Sequence, residues 1–198
     1  MNTASLQQAE NHLSHQEARW FAVYTHYKRE KRVADRFAKK GIEFFLPLRK
    51  VTRRYERKVK HLDLPLISCY IFVKIEKKQY VQVLETQDVL SFVNFSRNLI
   101  AIPEEEIDIM RLVVGEGMEV EAQEGQLSCG DEVEILGGSL TGMRGTLLDQ
   151  QNGKNFVIEL ETMGYSLVMH IEPSLLRRVK AGTARTDDEP KGKFHKYL

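Results

Sequence analysis

The side chains able to do chemistry in this chain are cations and aromatics, and their spacing points to contact, not turnover. Between Arg19 and Lys60 fifteen Lys/Arg stand against four Asp/Glu, and between Glu104 and Glu124 eight acids stand against the single base Arg111. A formal net charge of +1 therefore hides two opposed blocks. Such segregation fits one surface meeting a polyanion while another avoids it; the competing reading is a solvated face with no partner. Lys and Arg neutralise phosphate regardless of base sequence. His26 and Tyr27, just ahead of a cationic stretch, could stack on or bond to an unpaired base.

Catalysis has no comparable support. The six histidines (His12, His15, His26, His61, His170 and His195) are scattered, and no glycine-rich phosphate loop, His-x-x-x-His pair or nucleophile elbow occurs. Paired acids sit where solvation or a helix dipole accounts for them. Cys69 and Cys129 are far apart and outside any C-x-x-C pair, so they neither staple a secreted domain nor frame a zinc site. No catalytic residue, metal or cofactor is expected. There is no apolar run of the roughly 20 residues needed to cross a bilayer and no signal-peptide pattern at the start, so a cytoplasmic protein without membrane contact, and a monomer, is expected.

The elements that must position these groups follow from periodicity. Trp20–Tyr24 reads as a strand, with Trp20, Ala22 and Tyr24 on one face and Phe21 and Val23 on the other. From Lys28 to Lys40 the period becomes helical, with Val33, Ala34, Phe37 and Ala38 inward and Lys28, Arg32, Arg36 and Lys39 outward. Gly41 supplies the stop. Strand Glu43–Leu46 precedes an exposed basic hairpin or loop from Arg49 to Lys60, with seven bases and one acid. Strand Tyr70–Ile75 places Ile71, Val73 and Ile75 on one face and Tyr70 and Phe72 on the other. A helix over Lys77–Glu85 would bury Tyr80, Val81 and Leu84. A strand over Val89–Phe95 and a helix opened by Pro103 and Glu104–Glu106, with stripe Ile107, Met110 and Val114, complete the half. This order predicts an α+β domain, a ferredoxin-like α/β sandwich with helices on one sheet face. If Ile71 and Val73 face the helices, Tyr70 and Phe72 are exposed, a pair suited to a binding surface; otherwise both faces are covered.

The expected organisation is a mobile arm over 1–18, the α/β domain over 19–115, an acidic linker over 116–126, a small β-barrel over 127–180 and a disordered tail over 181–198. The barrel is read from short strands and glycine turns without helical periodicity, including the Asn152-Gly153 hairpin signal.

The stretch Gly130–Thr146, GDEVEILGGSLTGMRGT, resembles a KOW motif. Upstream, Trp20–Tyr24, a basic helix, Phe45-Leu46-Pro47, Leu66–Val73, Ser91-Phe92-Val93 and Ile102-Pro103 occur in the order and spacing of the NusG N-terminal domain. The resemblance is to the NusG superfamily over about residues 19 to 179, nearer to specialised antiterminators of the RfaH and UpxY type. One departure is that Ile67-Ser68-Cys69-Tyr70 stands where family members carry Phe-Pro-Gly-Tyr or Phe-Pro-Ser-Tyr.

The resemblance implies a non-enzymatic transcription elongation and antitermination factor with an SH3-like KOW barrel. It implies that Tyr24, Ile67, Tyr70, Phe72, Phe92 and Ile102 pack on the clamp helices of RNA polymerase. It implies that His26, Tyr27, Lys28, Arg29, Arg32 and Arg36 approach upstream or non-template DNA. Met163, Gly164 and Tyr165 match the loop that meets ribosomal protein S10 or Rho, with Met163 expected to be exposed. The alternative function is a ribosome- or RNA-associated KOW protein using the barrel and the basic segment from Arg49 to Lys60.

Overall fold

The computed structural model describes residues 10–55, 58–94, 97–117, 119–124, 130–151 and 154–179. Cys129, the Asn152-Gly153 pair, Phe95 and the segment from 181 onward lie outside the described residues. The chain divides into two compact units. One holds the N-terminal residues through Leu46 together with Cys69–Ile102; the other holds Pro47–Ser68 and the segment that begins at Pro103. The division thus differs from a single cut after residue 115.

In the first unit, β1 (Arg19–Thr25) is followed by helix α1 (Glu30–Lys39) and β2 (Glu43–Phe45). In the second, β3 (Leu48–Tyr55) and β4 (Lys58–Pro65) form a two-stranded antiparallel ribbon. The chain then returns to the first unit with β5 (Tyr70–Ile75), a 3-10 turn at Lys77–Gln79, helix α2 (Tyr80–Leu84) and β6 (Val89–Phe92). The four strands pair antiparallel in the order β2-β5-β1-β6. With the ribbon set aside, this is the split βαβ order of the ferredoxin-like sandwich, as expected.

The period of two decides the layers. Phe21, Val23, Ile71, Val73 and Ile75 fall on the face packed with Val33, Ala34 and Phe37 of α1 and Val83 of α2, all buried. Each such side chain contributes about 1.5 to 3 kcal/mol relative to exposure. Gly41 (φ +66°) ends α1 as its sequence demands. In α2 the expected phase is shifted: Val83 is the buried residue and Val81 is exposed. The 3-10 turn at its start advances each residue by about 120° instead of about 100°, which rotates the face that follows.

The N-terminal segment departs from a mobile arm within its described part. Asn11 bridges to Leu99, His12 N–H donates to the Leu99 carbonyl at 2.9 Å, and Ala101 N–H donates to His12 Nδ1 at 3.1 Å. Leu13 packs on the core. Paired backbone and one apolar anchor outweigh the polar composition of that stretch.

In the second unit, α3 (Glu104–Gly115) buries Ile107, Met110 and Val113. The C-terminal sheet comprises β7 (Val120–Glu124), β8 (Glu132–Ile135), β9 (Arg144–Gln151), β10 (Lys154–Leu160), β11 (Tyr165–Met169) and β12 (Leu176–Arg178), antiparallel in the order β12-β8-β9-β10-β11-β7. Strand β7 corrects the linker reading of 116–126. Val120 through Glu124 pair with Met169 through Tyr165, and Val120 is buried while its acidic neighbours Glu119, Glu121 and Glu124 are exposed. Acids on the solvated positions of an edge strand are compatible with pairing and blunt the free edge. The glycine pattern of the motif has a steric cause at Gly145, where an added Cβ would lie 2.3 Å from the Val157 carbonyl oxygen and 2.6 Å from the Phe156 ring.

Candidate functional site

The sheet face opposite the two helices carries an aromatic row. Trp20 and Ala22 alternate with the core-facing Phe21 and Val23, and Tyr24 continues the row at the strand end. Antiparallel register then sets Tyr24 opposite Tyr70 and Ala22 opposite Phe72, on the same face. The Tyr24 and Tyr70 hydroxyls lie 2.6 Å apart with ring centroids at 4.6 Å. Phe45 of β2 stacks on Phe72 with centroids at 6.2 Å. Lys74 Nζ lies 5.7 Å from the centre of the Trp20 ring. Ile102 joins by a bridge to Trp20, its N–H donating to the Trp20 carbonyl at 2.8 Å.

Exposure of this face differs from expectation. Phe72 is 0% exposed and Tyr70 8%, Ile67 and Ile102 are buried, and Tyr24 is half-buried. An aromatic row left in water would forfeit about 25 cal/mol per Å² of apolar surface; here it is withdrawn. Phe92 is corrected further. It pairs with Val23, whose side chain faces the helices, and its ring lies edge-on to Phe21 at 6.2 Å and stacked on Tyr80 at 4.7 Å. It belongs to the helix-side core and not to the aromatic row.

The turn leading into β5 is held by one carboxylate. Glu30, at the start of α1, is buried, and its Oε1 accepts the Cys69 N–H at 2.8 Å. The Cys69 carbonyl accepts Thr25 N–H at 2.9 Å. Cys69 adopts φ +67°, the left-handed region that favours glycine. Burial, and then the Glu30 charge, push its thiol up from the ordinary value, so it stays a thiol at neutral pH.

The cationic candidates differ in exposure and in how far they are committed to partners. His26, Tyr27, Lys28 and Arg32 are exposed and Arg29 is half-buried. The chain turns here, with Lys28 at φ +60° and Arg29 N–H donating to the His26 carbonyl at 3.0 Å. This places Lys28 and Arg29 ahead of α1 and not within it. Tyr27 is 66% exposed, with Lys28 Nζ 4.9 Å from its ring centre. Arg36, in contrast, is committed. Its guanidinium pairs with Asp88 and donates to the Gln87 carbonyl and Gln87 Oε1, each at 2.9 Å. The hydrogen bond from Arg36 holds the Asp88 carboxyl below its usual range. The outward helical position that nominated Arg36 says nothing of a loop arriving 52 residues later.

At the far end of the sequence, Met163 is buried, correcting the expectation of an exposed side chain; Gly164 turns at φ +65° and Tyr165 is half-buried. The neighbouring Thr162 N–H donates to Glu106 Oε1 of α3 at 2.8 Å. Sequence reasoning missed Glu106, reading it only as one of three acids at a helix start. It is buried, and among the described residues its Oε2 has no hydrogen-bond partner. Among the described residues no group of three His, Cys, Asp or Glu side chains is placed to hold a metal, and no helix is long and apolar enough to cross a membrane.

Comparison with known proteins adds the following. Residues 18–111 match the family model described as "NusG: Transcription termination factor nusG". No curated protein matches the chain. Among solved structures, one titled "Domain interaction in Thermotoga maritima NusG" is similar at 18% identity with a TM-score of 0.51, covering 84% of this chain and 100% of that one. This is a likeness of fold. One titled "Crystal Structure of MjSpt4:Spt5 complex conformation B" aligns at 19% identity and a TM-score of 0.28, covering 83% of this chain and 99% of that one.

Proposed function

We propose, from the match of residues 18–111 to the NusG family model, that this chain is a transcription elongation factor that acts by binding RNA polymerase through its N-terminal domain. The family is one of transcription factors and not of catalysts. The observation that carries the reading is the aromatic row on the helix-free sheet face, where Trp20, Tyr24, Tyr70, Phe72 and Ile102 are brought together by register. Rigid aromatics concentrated on one flat face are what a protein-binding hot spot is made of. Because these side chains are withdrawn from water here, engagement of the clamp helices uncovers them, and part of the binding energy offsets that cost.

The exposed cations Lys28 and Arg32 and the half-buried Arg29, with exposed His26 and Tyr27, supply a nucleic-acid contact beside the polymerase, to upstream or non-template DNA. Arg36 contributes less, its guanidinium being held by Gln87 and Asp88. The turn at Met163, Gly164 and Tyr165 is the contact for a second protein, S10 or Rho, with Tyr165 the accessible side chain and Met163 its packed base.

The test is affinity purification of the tagged full chain from cells. RNA polymerase is expected in the eluate of the wild type and is expected to be lost with Tyr24→Ala/Tyr70→Ala, whose melting temperature is checked in parallel. Polymerase recovered equally with a folded double variant would overturn the assignment of this face. Recovery of ribosomes with no polymerase would favour the KOW-protein alternative.

A further inference from the structure

The β3–β4 ribbon has a feature that polymerase binding leaves unused. Its base is tied to the second unit. Leu48, Val51, Leu62 and Leu64 are half-buried, and Arg49 donates to the Val120 carbonyl at 3.3 Å. Toward the tip, Thr52, Arg53, Arg54, Lys58, Val59, Lys60 and His61 are all exposed, so both faces of the ribbon stand in water. An unsupported two-stranded ribbon is marginal in water, and nothing about packing calls for cations there.

Their register makes the arrangement costly. Arg53 lies directly opposite Lys60 on one face; Arg54 lies opposite Val59 on the other. Like charges directly opposed across strands destabilise the pair. Among the described residues, Arg53, Arg54, Lys58 and Lys60 form no ion pair that would relieve it. A polyanion would.

We propose that the tip of the β3–β4 ribbon is a sequence-independent binding element for the phosphate backbone of duplex DNA, separate from the cations around α1. Two strands about 4.8 Å apart, with side chains on both faces, match the B-form major groove of about 12 Å, which admits a two-stranded ribbon. The major groove of an RNA duplex is too narrow for it. Cations on both faces let the ribbon reach phosphates on either side of the groove.

The experiment uses the full chain and fluorescence anisotropy with a labelled DNA duplex of about 25 base pairs, in two unrelated sequences, over a salt series. The variant is Arg53→Gln/Arg54→Gln/Lys58→Gln/Lys60→Gln, whose sites are exposed and whose melting temperature is compared with the wild type. Loss of four phosphate contacts is expected to reduce the slope of log affinity against log salt by about 3 to 4 and to weaken binding at least about 10-fold for both sequences. The same loss is expected in a background carrying Arg29→Ala/Arg32→Ala. An unchanged slope in the quadruple variant would overturn the proposal, as would tighter binding of a matched RNA duplex than of DNA. Polymerase recovery is expected to survive the quadruple change, so this element and the aromatic face can fail independently.

Discussion

The Glu30 carboxylate accepts the Cys69 N–H at 2.8 Å and so fixes a cysteine at φ +67° immediately before β5. The relationship joins the start of α1 to the turn that delivers Tyr70 to the aromatic face. It also explains how this chain accommodates Ile67-Ser68-Cys69-Tyr70 in place of a glycine-containing turn. A left-handed non-glycine residue costs about 1 to 2 kcal/mol, and a buried acceptor dedicated to its amide offsets that cost.

Cys69→Gly should therefore stabilise the protein by about 1 kcal/mol, since glycine adopts the same φ without strain. Glu30→Ala should destabilise it by about 1 to 3 kcal/mol by leaving the Cys69 amide without its acceptor. Glu30→Gln, which keeps an acceptor oxygen, should fall between. Thermal unfolding of the three variants reads the order directly.

Asp88 gives a pH signature. Its carboxyl is held below the usual range chiefly by the hydrogen bond from Arg36. A carboxyl lower in the folded than in the unfolded chain contributes stability that is complete above its ordinary value and is lost as pH falls through the folded value. Between about pH 6 and about pH 3, the wild type should lose more stability than Asp88→Asn, measured by melting temperature against pH. Arg36→Ala should lower the melting temperature at neutral pH while weakening DNA binding less than Arg32→Ala does.

Glu106 behaves with the opposite sign. Burial raises its carboxyl, opposed in part by the hydrogen bonds from Thr162. The folded state then holds the proton more tightly than the unfolded chain, so stability falls as pH rises from the ordinary glutamate value through the folded one. Glu106→Gln should raise the melting temperature at neutral pH, and the gain should shrink on acidification to about pH 4.

At Gly145 the constraint is spatial. A methyl group there meets the Val157 carbonyl and the Phe156 ring, and Gly145→Ala should cost about 1 to 3 kcal/mol. Denaturant unfolding followed by a probe in the C-terminal sheet measures it.

Much of this architecture was legible because it rests on local period. The alternation in Trp20–Tyr24 and Tyr70–Ile75 assigned the faces of β1 and β5 correctly, and Pro103 with three glutamates located α3. What was not legible depended on partners distant in sequence. Arg36 looked free because Gln87 and Asp88 arrive from another loop, and Phe92 looked like surface because only its pairing with Val23 assigns its face. The pairing of Val120–Glu124 was masked by acids that mark a linker in composition but an edge strand in register. Burial of Tyr70, Phe72 and Met163 is likewise a tertiary fact that alternation cannot supply.

The central claim is that this chain engages transcribing RNA polymerase through the Trp20–Tyr24–Tyr70–Phe72 face. The most direct test is binding of the full chain to a reconstituted elongation complex, followed by native gel with the polymerase labelled. Saturable binding is expected, weakened at least about 10-fold by Tyr24→Ala/Tyr70→Ala, which corresponds to a loss of about 1.4 kcal/mol. No binding by the folded wild-type chain, or equal binding by the double variant, would contradict the account.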